Sequence, residues 1–151
     1  MQQKINHCCM NLAKIRLVIV DDHQMVRETW KLILEQDKRI HVIAECSSGA
    51  EAIDKACELL PDVMLMDINM FPVNGFEATR KIIKLCPEVK IIGVSVNDQL
   101  GYARNMFQLG AKGFVTKNTS QEEMIEAICE VHKGKTFLCR ELREKNNSDI
   151  S

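Results

Sequence analysis

The chain has 151 residues, 46% of them hydrophobic and 27% charged, enough for one domain that buries about two thirds of its unfolded surface. No apolar run approaches the roughly 20 residues of a membrane-spanning helix, and the N-terminal MQQKINHCCMNLAK lacks the apolar segment and cleavage site of a secretory signal. A cytoplasmic protein without membrane contact is expected, and a formal net charge of −1 gives it no electrostatic footprint for nucleic acid.

In chain order, residues 1–14 read as a flexible N-terminal arm. The β-rich run IRLVIV (15–20) follows, and then a segment that sets Val26, Thr29, Trp30, Ile33 and Leu34 on one helical face, with Trp30 as its buried anchor. Further strands are expected at HVIAEC (41–46), DVMLM (62–66), VKIIGVS (89–95) and GFVT (113–116). Strand spacing makes Met64 and Met66 core residues and leaves Met70 in the following loop. The intervening helices start at Ser48-Gly-Ala-Glu51, Asn74-Gly-Phe-Glu77 and Ser120-Gln-Glu-Glu123, each with the capping-box pattern that satisfies orphan backbone donors. Pro87 and Gly134 mark two helix ends, and residues 134–151, polar through LREKNNSD, read as a linker or tail.

Strict alternation of five strands with helices implies parallel pairing through right-handed crossovers, the doubly wound α/β class. The seven cysteines (8, 9, 46, 57, 86, 129 and 139) are odd in number and lack C-x-x-C spacing, so they read as buried free thiols. The adjacent Cys8 and Cys9 have no neighbouring His/Cys set at ligand spacing.

Ligands of open α/β sheets bind beyond the carboxyl ends of the strands, and here those ends carry a distinctive set. Asp21 and Asp22 follow LVIV, Asp67 follows VMLM, Ser95 follows IIGV and Lys117 follows GFVT. Any one of them alone is an ordinary turn residue. Converged on one sheet edge, the carboxylates would repel, a like-charge pair at ~4 Å costing on the order of 4 kcal/mol at an effective dielectric near 20. A cation must compensate. Lys117 supplies one charge, and Asp21, Asp22 and Asp67 form an oxygen-rich set suited to hydrated Mg²⁺. With the carboxylates so screened, one oxygen of Asp67 is free to attack phosphorus, which makes Asp67 a phosphoacceptor candidate.

Over residues 15–133 the motifs VIVDDH, LMDINM with NGFEATRKI, VSVND and LGAKGFVTK resemble, in order and spacing, the receiver domains of bacterial two-component response regulators. DDH, DINM and GAKGFVTKN are most similar to the LuxR-type DNA-binding branch. The resemblance implies a flavodoxin-like fold with strand order 2-1-3-4-5. It implies phosphorylation of Asp67 by a histidine kinase and Mg²⁺ bound directly by Asp22, Asp67 and the Asn69 backbone carbonyl, with Asp21 acting through water. Lys117 and Ser95 would contact the phosphoryl group, and Phe114 would fill space vacated as Ser95 moves inward. Homodimerisation on phosphorylation is an ordinary family outcome. DNA would be reached only through a C-terminal helix-turn-helix domain that this sequence lacks, so either a stand-alone receiver or a piece of a longer chain is expected.

Three departures qualify the match. Phe71 stands where the family commonly has proline, with Pro72 one place later; Gln24 replaces a frequent proline; and Phe114 in place of tyrosine removes a hydroxyl. Asn69 and Asn97, two residues beyond Asp67 and Ser95, are not strong bases, which implies slow self-dephosphorylation rather than enzymatic turnover. A phosphatase of the haloacid-dehalogenase type would want an acid at position 69. A flavin module would want a Ser/Thr/Gly-rich loop where DDHQ stands, and a phosphate-blind scaffold would not keep every key position. His23 reads as a surface or capping residue without a catalytic role.

Overall fold

The computed structural model describes residues 14–150, so Cys8, Cys9 and almost all of the expected N-terminal arm lie outside the described residues. The elements are β1 (Ile15–Val20), α1 (Gln24–Leu34), β2 (Ile40–Cys46), α2 (Gly49–Leu59), β3 (Val63–Asp67) and α3 (Gly75–Leu85), followed by β4 (Lys90–Ser95), α4 (Leu100–Leu109), β5 (Gly113–Thr116), α5 (Gln121–His132), β6 (Phe137–Leu138) and α6 (Arg140–Ile150). All strand pairs are parallel, in the order β2-β1-β3-β4-β5-β6. The five expected strands are present in the expected order, and a two-residue sixth extends the sheet beyond β5. Among the described residues no helix is long and apolar enough to cross a membrane.

The chain steps from β1 to β2 in one direction and from β2 through β3 and β4 to β5 in the other. Right-handed crossovers therefore place α1 on one face and α2, α3 and α4 on the opposite face. The packing agrees: α1 meets α5, while α2 meets α3 and α3 meets α4. Covered on both sides, β1 and β3 are almost wholly buried, which is why their sequences lack polar alternation.

The capping residues act at all three expected helix starts. Ser48 accepts from the Glu51 N–H at 3.1 Å, Asn74 from Glu77 at 2.9 Å and Ser120 from Glu123 at 3.1 Å. Gly134, at φ 97°, follows the α5 C-cap in the left-handed conformation that favours glycine.

Four side-chain or segment expectations are corrected. Trp30 is half-buried instead of fully buried, because the α1 stripe borders a groove of about 350 Å³ lined by Met25, Val26, Thr29, Trp30, Ile33 and Lys117. Only Leu34 of that helix is buried. Met70 belongs to the core at 1% exposure despite its place in a loop. Cys57 is exposed, unlike buried Cys46, Cys86 and Cys139.

The fourth concerns residues 134–151, expected as a polar linker or tail with a fraying end: among the described residues, Phe137–Leu138 form β6 and Arg140–Ile150 form α6. Phe137 N–H donates to Lys112 O at 2.9 Å and Cys139 N–H to Phe114 O at 3.1 Å, while Leu142 is fully buried. Glu123, the last residue of the α5 capping box, turns its carboxylate to the Arg140 N–H at 2.5 Å instead of to its own cap. Lys145 pairs with Asp98 at 3.0 Å, tying α6 to the loop after β4.

Leu142→Ala is expected to cost about 2–4 kcal/mol, the range for deleting a fully buried leucine side chain. Urea unfolding of parent and variant measures it; a loss below about 0.5 kcal/mol would show that α6 is not packed in this way.

Candidate functional site

Three strands end in the same local device. The side chain of the residue at or just beyond the strand end accepts a hydrogen bond from the backbone N–H two residues on: Asp21 Oδ1 from His23 at 2.8 Å, Asp67 Oδ1 from Asn69 at 2.9 Å, and Ser95 Oγ from Asn97 at 3.0 Å. Such turns suit Asp and Ser because a short polar side chain replaces the next ladder partner. They also aim three polar groups over one edge of the sheet.

The register brings those turns together. Val20 pairs with Met66 across β1 and β3, and Asp67 with Val94 across β3 and β4, so Asp21, Asp67 and Ser95 sit at neighbouring strand ends. Ser95 pairs with Thr116, and the Lys117 N–H donates to Ser95 O at 2.8 Å, which brings Lys117 to the same edge. Its ammonium lies 2.9 Å from Asp21 Oδ2 and 3.4 Å from Asp67 Oδ2. Asp21, Asp67 and Ser95 are buried, at 4%, 1% and 0% exposure, whereas Asp22 and Asn69 face solvent.

Asp21, Asp22, His23 and Asp67 each offer an atom within 4.8 Å of the others. The donors suit a hard cation, since three of the four are carboxylates and one lysine cannot neutralise them. His23, given only a surface or capping part by the sequence, caps α1 without a side-chain bond and rests its Nδ1 2.9 Å from Asp22 Oδ1 and 3.3 Å from Asp21 Oδ1. Its position directly after the acid pair was the available signal. Arg27 was also missed: its Nη1 donates to Asp21 O at 2.7 Å, fixing the turn from behind.

Gly75 closes the far side of the site. A Cβ there would lie 2.4 Å from Asp67 O and 2.5 Å from Ile68 Cα, so only glycine lets α3 start against the backbone of the acid loop. Within that loop the Phe71–Pro72 peptide is cis and Phe71 is exposed. Phe114 is fully buried, and a Cβ on Gly93 would meet its ring at 2.8 Å and Met106 at 2.9 Å. The missing side chain at Gly93 is what makes room for the aromatic.

Burial is the largest influence on Asp67 and raises its pKa; the Asn69 N–H opposes it, Asp21 adds to it, and Lys117 offsets part. For Lys117 burial acts downward but is outweighed by Asp21 and Asp67, so its pKa is raised. The two have opposite consequences for stability. Lys117's contribution is fully present below pH 10.5 and is lost as pH climbs through its higher folded value. Asp67 binds its proton more tightly folded than unfolded, so its ionised form at neutral pH costs stability, and the cost fades as pH falls through its raised value.

A parallel sheet with three carboxylates and one ammonium at adjoining strand ends is a specific arrangement, and comparison with known proteins identifies it. The family model for the response regulator receiver domain matches residues 17–129. The transcriptional regulatory protein DegU of Brevibacillus brevis is 39% identical over 129 residues, covering 85% of this chain and 55% of that protein. The oxygen regulatory protein NreC of Staphylococcus aureus (strain JH9) is 38% identical over 125 residues, covering 82% and 58%. The chain thus spans a little over half the length of these curated relatives. The crystal structure of a LuxR-family two-component response regulator from Aurantimonas sp. SI85-9A1 superimposes with a TM-score of 0.87 at 27% identity, over 91% of this chain and 99% of that one.

The chain belongs to the response regulator receiver family of two-component signalling. Its relatives set it within the LuxR-type branch.

Replacing Asp67 with Asn removes one charge from the buried cluster while keeping an acceptor for the Asn69 N–H. In metal-free buffer at pH 7, Asp67→Asn is expected to raise the Tm by about 2–4 °C, the shift that about 1 kcal/mol produces in a domain of this size. The gain should shrink as pH falls and the parent carboxyl protonates. A lower Tm for the variant at pH 7 would contradict this account of the site.

Proposed function

We propose that Asp67 accepts a phosphoryl group from a histidine kinase and that the receiver passes the change to a transcriptional output. The observation that carries this reading is the single lysine shared by Asp21 and Asp67 at 2.9 and 3.4 Å. It leaves the acid set short of positive charge yet sets an ammonium against Asp67 beneath an opening to solvent at Asp22. In the transfer, one Asp67 oxygen forms a bond to phosphorus as the bond from phosphorus to the kinase imidazole nitrogen breaks, and the nitrogen keeps that electron pair.

Mg²⁺ would be held directly by Asp22, Asp67 and the Asn69 backbone carbonyl, with Asp21 contributing through water; when bound it supplies charge neutralisation for the transferred group. The residues of the chain do the rest. Asn69 N–H holds Oδ1 and so fixes the plane of the carboxylate. Lys117 reaches a new phosphoryl oxygen by a small swing from Asp21, exchanging one charge-assisted bond for another. The Ser95 hydroxyl, which accepts from Asn97 N–H, still has its own proton to donate to that group. Phe114 is the aromatic whose packing against Gly93 and Met106 would respond to movement of Ser95.

The coupling runs on to α6. Asp98, in the loop after Ser95, is held by Lys145, and Thr116, directly before Lys117, donates its hydroxyl to Glu141 at 2.9 Å. A rearrangement of Ser95 and Lys117 therefore bears on two of the attachments of α6. In a longer chain a DNA-binding helix-turn-helix domain would follow this helix, with phosphorylation favouring a homodimer. The setting consistent with such signalling is the cytoplasm. The domain is a phosphoacceptor and not a turnover enzyme: neither Asn69 nor Asn97 is a strong base, so the phosphoryl group should be lost slowly.

Incubation with Mg²⁺ and a small acyl phosphate, followed by intact-mass measurement, is expected to show one phosphoryl adduct that is absent in Asp67→Asn and reduced in Lys117→Ala. The adduct should outlast seconds after the donor is removed. Equal labelling of parent and Asp67→Asn would place the acceptor elsewhere, and continuous release of phosphate would favour a phosphatase.

A further inference from the structure

Away from the acid pocket, two free cysteines from different helices meet. Cys57 lies in the last turn of α2 and is exposed; Cys86 caps the C-terminus of α3 and is 6% exposed; their sulfurs are 3.2 Å apart. We propose that Cys57 and Cys86 are an oxidative modification site, closing to an intramolecular disulfide when the protein meets a hydroperoxide.

The geometry asks little of the fold. A disulfide is about 2.05 Å long, so the sulfurs need to approach by only about 1 Å, within reach of a small side-chain rotation. The backbone on both sides is anchored. Cys86 N–H donates to Ile82 O at 2.6 Å, and Arg16 binds Leu59 O and Leu60 O at 2.8 and 2.9 Å just beyond Cys57. The thiols therefore stay side by side.

Their surroundings divide the chemistry. The Cys86 thiol is pushed up to about 11, chiefly by burial and then by the bond to Cys57, so it is a poor first nucleophile. Cys57 is open to solvent and reacts first. Its thiolate attacks one peroxide oxygen, the O–O bond breaks, and the departing hydroxide takes the thiol proton away as water, leaving a sulfenic acid. The Cys86 sulfur then attacks the Cys57 sulfur, the S–O bond breaks, and the second hydroxide leaves as water with the Cys86 proton. Two thiols and one hydrogen peroxide become one disulfide and two waters.

Because helices return from the carboxyl ends of the strands, Cys57 and Cys86 lie at the edge opposite the acid pocket, beside the loops that enter β3 and β4. The bond would join the feeds of the strands that end in Asp67 and Ser95. The thiols are not shared with the phosphoryl chemistry, so this inference stands whether or not Asp67 is the acceptor.

Trypsin separates the two residues, Cys57 into Ala56–Arg80 and Cys86 into Leu85–Lys90, each with no other cysteine. The reduced full-length chain is treated with a few equivalents of hydrogen peroxide, alkylated with iodoacetamide, digested and mapped by mass spectrometry. The expected product joins these two peptides, two hydrogens lighter than their sum, and dithiothreitol separates them. Cys57→Ser should leave Cys86 fully alkylated, while Cys86→Ala should leave Cys57 as a sulfenic acid that dimedone traps. The proposal is overturned if both parent thiols are still alkylated once Cys129 has been oxidised, or if Cys57 is found bonded to Cys8, Cys9 or Cys129 instead. The parent map decides even if a variant fails to fold.

Discussion

One shared cation holds the site together. Lys117 faces two buried carboxylates at different strand ends, and without it Asp21 and Asp67 would present two uncompensated, largely buried carboxylates at one edge of the sheet. Removing one partner of a buried charge set commonly costs about 3–5 kcal/mol, because the remaining charge is left unpaired. The β4–β5 register and the Lys117–Ser95 backbone bond therefore serve electrostatics as well as packing. They hold the ammonium where it can compensate both acids, and they do so without saturating either.

That incomplete compensation separates a poised site from a merely stable one. A buried acid pair fully matched by two lysines would gain stability and lose its capacity for a further cation or anion. Here three carboxylates face one ammonium, and the pKa of Asp67 is raised, chiefly by burial, even with Lys117 beside it. Asp22 extends the acidic set to the surface, with the His23 imidazole beside it. The polar side is open while the apolar side, built from β1, β3 and the Phe114–Gly93 contact, is closed. A new charge arriving at the open side can be met only by rearranging Lys117, Ser95 and their turns, because the packed side does not yield.

Much of this was legible in the sequence because it is written in residue type and local spacing. Apolar runs of four to seven residues, each ending at or just before Asp, Ser or Lys, marked the strands, and the capping patterns marked three helix starts to within a residue. The pocket residues followed, since parallel alternation sends every strand's carboxyl end to one edge. What escaped was set by tertiary contact. Met70 lies in a loop with no periodicity, yet its side chain turns into the core. Trp30 has the helical position of an anchor but borders a groove, because amphipathic spacing identifies a face without saying how fully it is covered. The proximity of Cys57 and Cys86 needed the relative placement of two helices, which spacing within each cannot supply.

The C-terminal segment shows the same limit and adds a functional consequence. Its apolar content is only Phe137, Leu138, Cys139, Leu142 and Ile150, too little for a pattern, and α6 itself is strongly polar. Its position comes from partners elsewhere: Lys112 and Phe114 carbonyls, the Glu123 carboxylate, Thr116 and Asp98. Two of those partners adjoin pocket residues, Thr116 next to Lys117 and Asp98 three residues beyond Ser95. The helix is thus held partly by polar contacts, of which the exposed ones are individually worth about 0–1 kcal/mol, around one buried leucine. An attachment of that kind can be loosened by a change of a few kcal/mol at the pocket while the sheet beneath it stays intact, because the sheet's own strands are secured by burial on both faces.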